Sequence, residues 1–483
     1  MTRRVATLLI AGTILLAAGC GSSNNSTVTG VTMSCTASTI QSGQLDQCNA
    51  TVAGTGTFTT TVTWKTTAGS ISTAGLLTAP VTTSPEMVTV TATSTQNTSK
   101  SATATVTVNP VNLQPVTVDA GPQPQTFTTV NEAFVSVTVC VPGTTTCQTI
   151  DHVLVDTGSS GLRLLSSVLT LPLPQQNSSS GDPLDECLVF LDGYVWGPVA
   201  LADISITGEK ASSTPVQVII PSNGSPAVPG SCSSQTVGPN EGDSVAALGA
   251  NGILGVGLFQ QDCGVGCTGQ NPADVYYSCP ASGCSQNGIA VALAQQVPNP
   301  VTMFSLDNNG VLLYLPSVPL GGVPAVNGSL IFGVGTQSNN TMQSATVYTV
   351  PDSGANAGDL TTTFNGVAYP GFLDSGSNGI FFLDGATTGI ATCNIGGSQW
   401  YCPASPANLT ATNQGTNGNQ GVVNFTIQNA ATLLNSGNVA FSTLGAPLPG
   451  SFDWGLGFFY GKTVFTAIEN MNTPAGMGPY VAY

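Results

Sequence analysis

Two stretches of the chain share one pattern of apolar and polar positions. Residues 153–160 read VLVDTGSS and residues 371–378 read GFLDSGSN, so each apolar run ends in Asp, a hydroxyl residue, Gly and Ser. Short apolar runs bounded by turn residues predict buried strands, and the Asp-Thr-Gly or Asp-Ser-Gly that follows predicts a tight turn. The sequence therefore predicts two carboxylates, Asp156 and Asp374, on two similar loops.

The segment before these motifs also alternates with the short period of β-strands. Between residues 27 and 108, apolar stretches at 58–64, 87–92 and 102–108 are separated by Gly, Ser, Asn and Pro, which predicts a small β-sandwich. Residues 109–124 contain four prolines and predict a stiff linker.

From residue 125 to residue 483 the chain is again rich in strand and turn patterns, and its two halves contain the same order of motifs. Residues 252–255 (GILG) follow the first Asp motif, and residues 454–458 (WGLGF) follow the second. Each half thus predicts an Asp turn followed by a glycine-flanked apolar strand. The whole chain is expected to be all-β.

Composition narrows the partners and the chemistry. The 483 residues include only 7 Lys+Arg against 23 Asp+Glu, for a net charge of −16, which argues against a nucleic-acid partner because phosphates need clustered cations. The only histidine, His152, excludes a histidine metal cluster and is interpreted as a polar strand-end residue rather than a member of a Ser-His-Asp or Cys-His site. No glycine loop precedes a Lys-Ser or Lys-Thr pair that would hold phosphate. No cofactor and no metal are expected.

The N-terminus has the features of an export signal. Arg3 and Arg4 precede an apolar run at residues 5–16, and small residues precede Cys20. This arrangement resembles a bacterial lipoprotein signal over residues 1–20, followed by a Ser/Asn-rich tether over residues 21–26. Lipidation of Cys20 would anchor an exported protein to a membrane of the cell envelope, at the outer membrane or cell surface. The alternative is an ordinary secretory signal with a cysteine there by chance.

Twelve of the thirteen cysteines remain once Cys20 is set aside, and an even number in an oxidising compartment predicts disulfides. Close pairs predict short staples at Cys35 with Cys48, Cys140 with Cys147, and Cys393 with Cys402. The other six are Cys187, Cys232, Cys263, Cys267, Cys279 and Cys284, whose pairing stays open. A zinc site in the last four is the competing interpretation, which the oxidising compartment disfavours.

Paired carboxylates predict a specific acid–base chemistry. Two carboxylates held close share one proton, because the first charge repels the second; one then acts as a base on water and the other as an acid toward the substrate. Gly158 and Gly376 allow the tight turns. The hydroxyls divide into two roles: Thr157 and Ser375 are expected to bond across to the opposite loop, and Ser159 and Ser377 are expected to orient the outer carboxylate oxygens.

The order of these motifs resembles that of the pepsin-like aspartic peptidases. The resemblance rests on residues 132–134 (EAF), 155–160 (VDTGSS), 251–257 (NGILGVG), 303–306 (MFSL), 328–333 (GSLIFG), 372–377 (FLDSGS), 454–459 (WGLGFF) and 463–465 (TVF). It covers roughly residues 125–483 and implies two β-lobes, 125–320 and 321–483, with a cleft between them. It further implies that Asp156 and Asp374 are catalytic and that a peptide or protein substrate lies across both turns.

Residues 27–108 resemble bacterial immunoglobulin-like domains, through Thr63-Trp64, residues 75–80 (GLLTAP) and residues 103–108 (TATVTV). Such a domain is expected to act as a spacer, and contact with the cell wall is the other possibility.

Three positions depart from the peptidase pattern. The flap hairpin is expected at residues 190–197 (FLDGYVWG), with Phe190, Asp192, Gly193 and Tyr194 as its substrate-binding residues and Phe190 or Tyr194 in place of the usual tip tyrosine. Arg163 occupies a position where an aromatic residue is common. In the second supporting strand, Gly455 is interpreted as replacing a bulkier residue.

Two classes of function follow. The first is an exported aspartic endopeptidase that is most active in acid, where the acidic chain repels itself least. The second is a catalytically silent pepsin-fold surface protein that binds peptide, protein or cell-wall ligands. An adhesin that works through its N-terminal domain is a third, weaker alternative.

Overall fold

The computed structural model describes residues 26–82, 85–123, 129–191, 193–235 and 240–483. The chain divides between Asn109 and Pro110 into two compact units. Both units are built from β-strands, so the predicted all-β class is confirmed. Among the described residues, none of the helices is long and apolar enough to cross a membrane.

The first unit is a β-sandwich of two four-stranded sheets, ordered β1-β3-β6-β5 and β2-β8-β7-β4. Its small core contains Leu77, Val88, Val90 and Val106, each fully buried. The predicted sandwich is therefore confirmed. Its strands are β1 Thr27–Cys35, β2 Thr39–Gln41, β3 Leu45–Thr55, β4 Val62–Thr66, β5 Ser70–Ile71, β6 Leu76–Thr78, β7 Glu86–Ser94 and β8 Ser101–Asn109.

The second unit begins with the strands that carry the first Asp motif. They are β9 Leu113–Val118, β10 Ala133–Cys140, β11 Cys147–Asp156, β12 Ser160–Leu165, β13 Leu184–Val189, β14 Gly193–Ile206, β15 Glu209–Ile219, β16 Asn240–Glu241, β17 Gly252–Val256 and β18 Tyr276–Ser278. Strands β10–β18 are called the first lobe.

The remaining strands are β19 Gly310–Leu315, β20 Val326–Phe332, β21 Val347–Thr349, β22 Leu360–Phe364, β23 Val367–Leu373, β24 Ile380–Leu383, β25 Thr392–Ile395, β26 Ser398–Tyr401, β27 Ala407–Gln414, β28 Gln420–Ile427, β29 Gly445–Ala446, β30 Leu448–Trp454, β31 Lys462–Ala467, β32 Asn472–Thr473, β33 Gly476–Met477 and β34 Tyr480–Ala482. Strands β22–β30 are called the second lobe. The helices have one turn each: α1 Gly230–Ser233, α2 Val245–Leu248, α3 Gly385–Thr388, α4 Ala430–Leu434 and α5 Leu456–Phe459.

One long sheet joins the first lobe to the strands beyond it, through the order β17-β11-β10-β9-β20-β19-β31. Strand β9 pairs with β10 on one side and with β20 on the other. The predicted linker at 109–124 is therefore wrong over residues 113–118. Leu113, Val116 and Val118 are buried, and Pro115 is compatible with the sheet because β10 pairs only with the far end of β9, leaving the proline ring outside that ladder.

The two Asp motifs lie in duplicated arrangements of three strands. In the first lobe β17 runs parallel to β11 and antiparallel to β12, and in the second lobe β30 runs parallel to β23 and antiparallel to β24. The predicted repeat is confirmed. Its second supporting strand, however, ends at Trp454, and residues 456–459 form α5.

This shift corrects the interpretation of Gly455. Asp156 is in register with Gly255, and the register of β23 with β30, in which Leu373 pairs with Trp454, places Asp374 beside Gly455. A Cβ at Gly455 would lie 2.0 Å from the Gly379 carbonyl oxygen. Gly455 therefore does not replace a bulkier residue, because the backbone of the second turn leaves room only for glycine.

Six disulfides form among the described cysteines. The three predicted staples are present, and the other bonds join Cys187 to Cys232, Cys263 to Cys267, and Cys279 to Cys284. The preference for disulfides over a zinc site in the last four cysteines is confirmed, because all four sulfurs are bonded in pairs.

Candidate active site

The duplicated strands bring the two Asp turns together. Strand β11 ends at Asp156 and β23 ends one residue before Asp374. A Cβ on Gly158 would lie 2.7 Å from the Asp374 Cγ, and one on Gly376 would lie 2.8 Å from the Asp156 Cγ. Each glycine thus lies against the carboxylate of the opposite turn, and no larger residue fits at either position.

Reciprocal hydrogen bonds join the turns. The Thr157 N–H donates to Ser375 Oγ at 3.1 Å, and the Ser375 N–H donates to Thr157 Oγ1 at 2.9 Å. The Thr157 hydroxyl donates to the Leu373 carbonyl at 3.1 Å, and the Ser375 hydroxyl donates to the Val155 carbonyl at 2.7 Å. The four bonds are buried and fix the distance between the two turns, as the sequence predicts for Thr157 and Ser375.

Within each turn the carboxylate is held by its own loop. The Gly158 N–H donates to Asp156 Oδ1 at 2.7 Å, and the Gly376 N–H donates to Asp374 Oδ1 at 2.8 Å. The Ser159 hydroxyl donates to Asp156 Oδ2, and the Ser377 hydroxyl donates to Asp374 Oδ2 at 2.9 Å. The predicted hydrogen bonds of Ser159 and Ser377 to the carboxylates are therefore present, and a catalytic role for these supporting residues stays a prediction.

The two carboxyls are coupled electrostatically. Burial raises the pKa of Asp374 well above its usual range, and the charges of Asp156 and Asp453 raise it further. A hydrogen bond with Asp156 acts in the same direction, whereas the Ser377 hydroxyl opposes it. The two turns therefore favour a state in which one proton is shared between the two carboxyls.

A third carboxyl, Asp453, was not predicted. It lies on β30, is 1% exposed, and neither of its oxygens accepts a hydrogen bond of ordinary geometry within the described chain. Sequence reasoning missed it because the supporting strand was placed at residues 454–458, whereas the strand runs over Leu448–Trp454. The signal was an Asp directly before the Trp-Gly pair, in a segment that otherwise reads as buried.

Asn131 was also missed, and it connects the first lobe to the second turn. Its side-chain amide donates to the carbonyls of Asn378 at 2.9 Å and Phe441 at 2.8 Å. Its Oδ1 accepts from the Phe441 N–H at 2.6 Å and from the Tyr460 hydroxyl at 3.0 Å. No local sequence pattern marks this asparagine, because all its partners are distant in the chain.

Arg163 lies on β12 within a fully buried ionic cluster. Its Nη1 donates to the Ser160 carbonyl at 2.7 Å, and its Nη2 contacts Glu186 at 2.6 Å and Asp262 at 3.1 Å. The Tyr276 hydroxyl lies 2.7 Å from both oxygens of Asp262. Arg163 thereby links the end of the first Asp turn to β13, the first strand of the predicted flap hairpin.

The hairpin itself lies where the sequence predicts. Phe190 and Gly193 close it through an N–H···O=C bond of 2.7 Å, and Phe190 is half-buried. Asp192 lies outside the described residues. Tyr194 is 5% exposed and packs in a cluster with Cys187 and Trp196, and its role as the flap tyrosine stays a prediction. A role in substrate binding stays a prediction for Phe190 and Gly193.

Cys20 also lies outside the described residues, so its lipidation stays a prediction.

A family model described as "Protein of unknown function (DUF3443)" matches residues 108–483. No curated protein matches the chain. Among solved structures, the chain is similar to an aspartic proteinase from Irpex lacteus, with 14% sequence identity and a TM-score of 0.43 over 77% of this chain and 96% of that chain.

Proposed function

This chain belongs to the family described as "Protein of unknown function (DUF3443)", and we propose that it is an exported aspartic endopeptidase. The observation that carries the proposal is the reciprocal Thr157–Ser375 bonding, which holds the turns of buried Asp156 and half-buried Asp374 against each other. Such a pair with one proton performs hydrolysis by general acid and base catalysis.

Each carboxyl has one role in the proposed reaction. Ionised Asp156 takes a proton from a water as the water oxygen attacks the peptide carbonyl carbon, and protonated Asp374 gives its proton to the carbonyl oxygen. The tetrahedral intermediate then collapses: the proton held by Asp156 passes to the leaving nitrogen, the C–N bond breaks, and Asp374 takes back a proton from one hydroxyl as the new carboxylic acid forms. Asp156 is again ionised and Asp374 again protonated. The bonds from Gly158 and Ser159 keep Asp156 oriented as the base.

The test is peptide hydrolysis by the purified protein across a range of pH, beside Asp156→Asn and Asp374→Asn. We expect hydrolysis in acid by the wild type and a loss of at least about a thousandfold in kcat for either variant, because neither leaves a complete acid–base pair. Circular dichroism controls for folding. Equal background rates in all three proteins would contradict the proposal and favour a binding protein of the same fold.

The proposed compartment is the cell envelope, with the protein anchored by lipid on Cys20. Six disulfides support an oxidising compartment. The Cys20→Ser variant is expected to leave the membrane fraction, because its acylation site is lost. Retention of that variant on membranes through a high-salt wash would show that another element provides the attachment.

A further inference from the structure

The same three-strand pairing supports each of the two Asp turns. At one equivalent position beside these turns, however, the two lobes carry different types of residue. In the first lobe, Ile253 pairs with Leu154 on β11 and with Arg163 on β12. In the second lobe, Asp453 pairs with Phe372 on β23 and with Phe381 on β24. The first lobe therefore uses an apolar side chain where the second lobe uses a carboxyl.

Asp453 lies on the sheet face that points away from the core of its lobe. At the next position along the strands, Trp454 pairs with Leu373 and Ile380, and all three residues belong to the buried core. Side chains alternate between the two faces along a strand, so Asp453 shares its face with its register partners Phe372 and Phe381. Asp374 follows Phe372 by two positions and continues the same side of β23 into the catalytic turn.

A buried carboxyl without hydrogen bonds of good geometry is unfavourable in the free protein. The nearby Ser377 hydroxyl donates its proton to Asp374 at 2.9 Å, so its hydrogen bond with Asp453 is weak. Burial raises the pKa of Asp453 well above its usual range, this weak hydrogen bond with Ser377 lowers it, and the charge of Asp156 raises it. A cationic group placed beside Asp453 would supply a well-oriented donor and a countercharge.

The surroundings of Asp453 suit a cationic side chain with a long apolar stem. Phe372 and Phe381 are half-buried on the two adjacent strands, and the Phe381 ring lies 6.0 Å from that of Trp400, which is also half-buried. Aromatic rings attract cations through their faces and cover aliphatic stems.

We infer that Asp453 is a specificity-determining residue that binds a lysine or arginine side chain of the substrate, next to the cleaved bond and against the second lobe. This inference rests on the proposed function for its location, since it assumes that substrate lies across the paired turns. The ligand class is a peptide with a basic residue beside the scissile bond.

Peptide-library digestion followed by mass spectrometry gives the first test. The wild type is expected to cleave next to Lys or Arg. Matched peptides that differ only by Lys or norleucine at that position then give the ratio of kcat/KM, which we expect to favour Lys by roughly tenfold to a hundredfold, the range of a charge-assisted hydrogen bond. In Asp453→Asn and Asp453→Ile the ratio is expected to fall close to one.

The two variants separate recognition from folding. Asparagine preserves the shape of the carboxyl, and isoleucine is the residue that the first lobe holds at the equivalent position. Hydrolysis of both peptides by the wild type with no preference for Lys, or an equal preference in Asp453→Asn, would overturn the inference and leave the proposed function intact.

Binding is measured separately with hydroxyethylene analogues of the same two peptides, which cannot be cleaved. Calorimetry with the wild type and Asp453→Asn repeats the Lys-to-norleucine comparison without catalysis. Tighter binding of the Lys analogue that depends on Asp453, in a protein that hydrolyses nothing, would overturn the proposed function and support the inference. Equal binding of both analogues would overturn the inference.

Discussion

At the residue scale, one threonine and one serine hold the candidate site together. Thr157 and Ser375 each use a hydroxyl to accept from the opposite backbone and to donate to an opposite carbonyl. A hydroxyl is the smallest side chain that does both. The two turns differ in that one uses threonine and the other uses serine, so the methyl group is not required for the bonding.

This bonding predicts the behaviour of two substitutions at Thr157. Thr157→Ala leaves the Ser375 N–H and the Leu373 carbonyl unpaired, and we expect a loss of about 1–3 kcal/mol in the free energy of unfolding. Because the turns then lose their spacing, kcat is expected to fall by tenfold or more. Thr157→Ser retains the hydroxyl and is the matched control in urea unfolding and in the hydrolysis assay. Equal losses for Ala and Ser would show that the hydroxyl is not what joins the turns.

At the element scale, the ionic cluster around Arg163 joins three segments of the first lobe. It holds one guanidinium between two carboxyls, on β13 and in the loop after β17. Burial and the charge of Glu186 raise the pKa of Asp262 well above its usual range, although Arg163 and Tyr276 oppose this. The protonated form of Asp262 is therefore favoured, so the single guanidinium of Arg163 is enough to balance the charge of the cluster.

Removal of the cation is expected to be costly. Arg163→Met leaves Glu186 and Asp262 buried without a countercharge, and we expect a loss of about 3–5 kcal/mol in the free energy of unfolding. Arg163→Lys preserves the charge but not the two-pronged geometry, so its loss should be smaller. Denaturant unfolding of both variants, with KM measured alongside, tests this. A methionine variant as stable as the lysine variant would indicate that the cluster contributes packing rather than charge.

At the scale of the whole molecule, buried carboxyls link stability to pH. Burial raises the pKa of Glu132 to about 8 and that of Asp185 to about 7. A carboxyl whose pKa is raised by folding stabilises the folded state fully below its unfolded pKa, near 4, and that contribution is lost as the pH rises through the folded pKa. The molecule is therefore expected to be most stable in acid and to weaken between about pH 4 and pH 8.

Neutral substitutions test this dependence. Asp185→Asn removes a contribution of up to about 4 kcal/mol that changes with pH, so thermal melting of this variant should fall less steeply between pH 4 and pH 7 than that of the wild type. Glu132→Gln should act likewise up to pH 8. Asp384→Asn is the control, because hydrogen bonds from Thr387 lower the pKa of that exposed carboxyl. A wild type whose melting temperature rises over this range would contradict the prediction.

Sequence was sufficient wherever the information is local. The Asp-hydroxyl-Gly-Ser turns, the bonds of Ser159 and Ser377 to their own carboxylates and the short disulfide staples follow from residues close together in the chain, because turn chemistry and strand alternation are local properties. The repeat of the motif also placed the two turns as partners. The sandwich over β1–β8 followed from its alternation alone.

Tertiary structure decided what depends on pairing between distant strands. Strand β9 reads as a linker from its prolines, yet it is fixed between β10 and β20. The position of Asp453 depends on the register of β30, and a strand placed at 454–458 instead of Leu448–Trp454 leaves this carboxyl outside the sheet. Asn131 and Arg163 find their partners only after folding. The sequence by itself determined the two carboxylates and their turns, whereas only the folded chain placed the third carboxyl beside them, because register is set by packing.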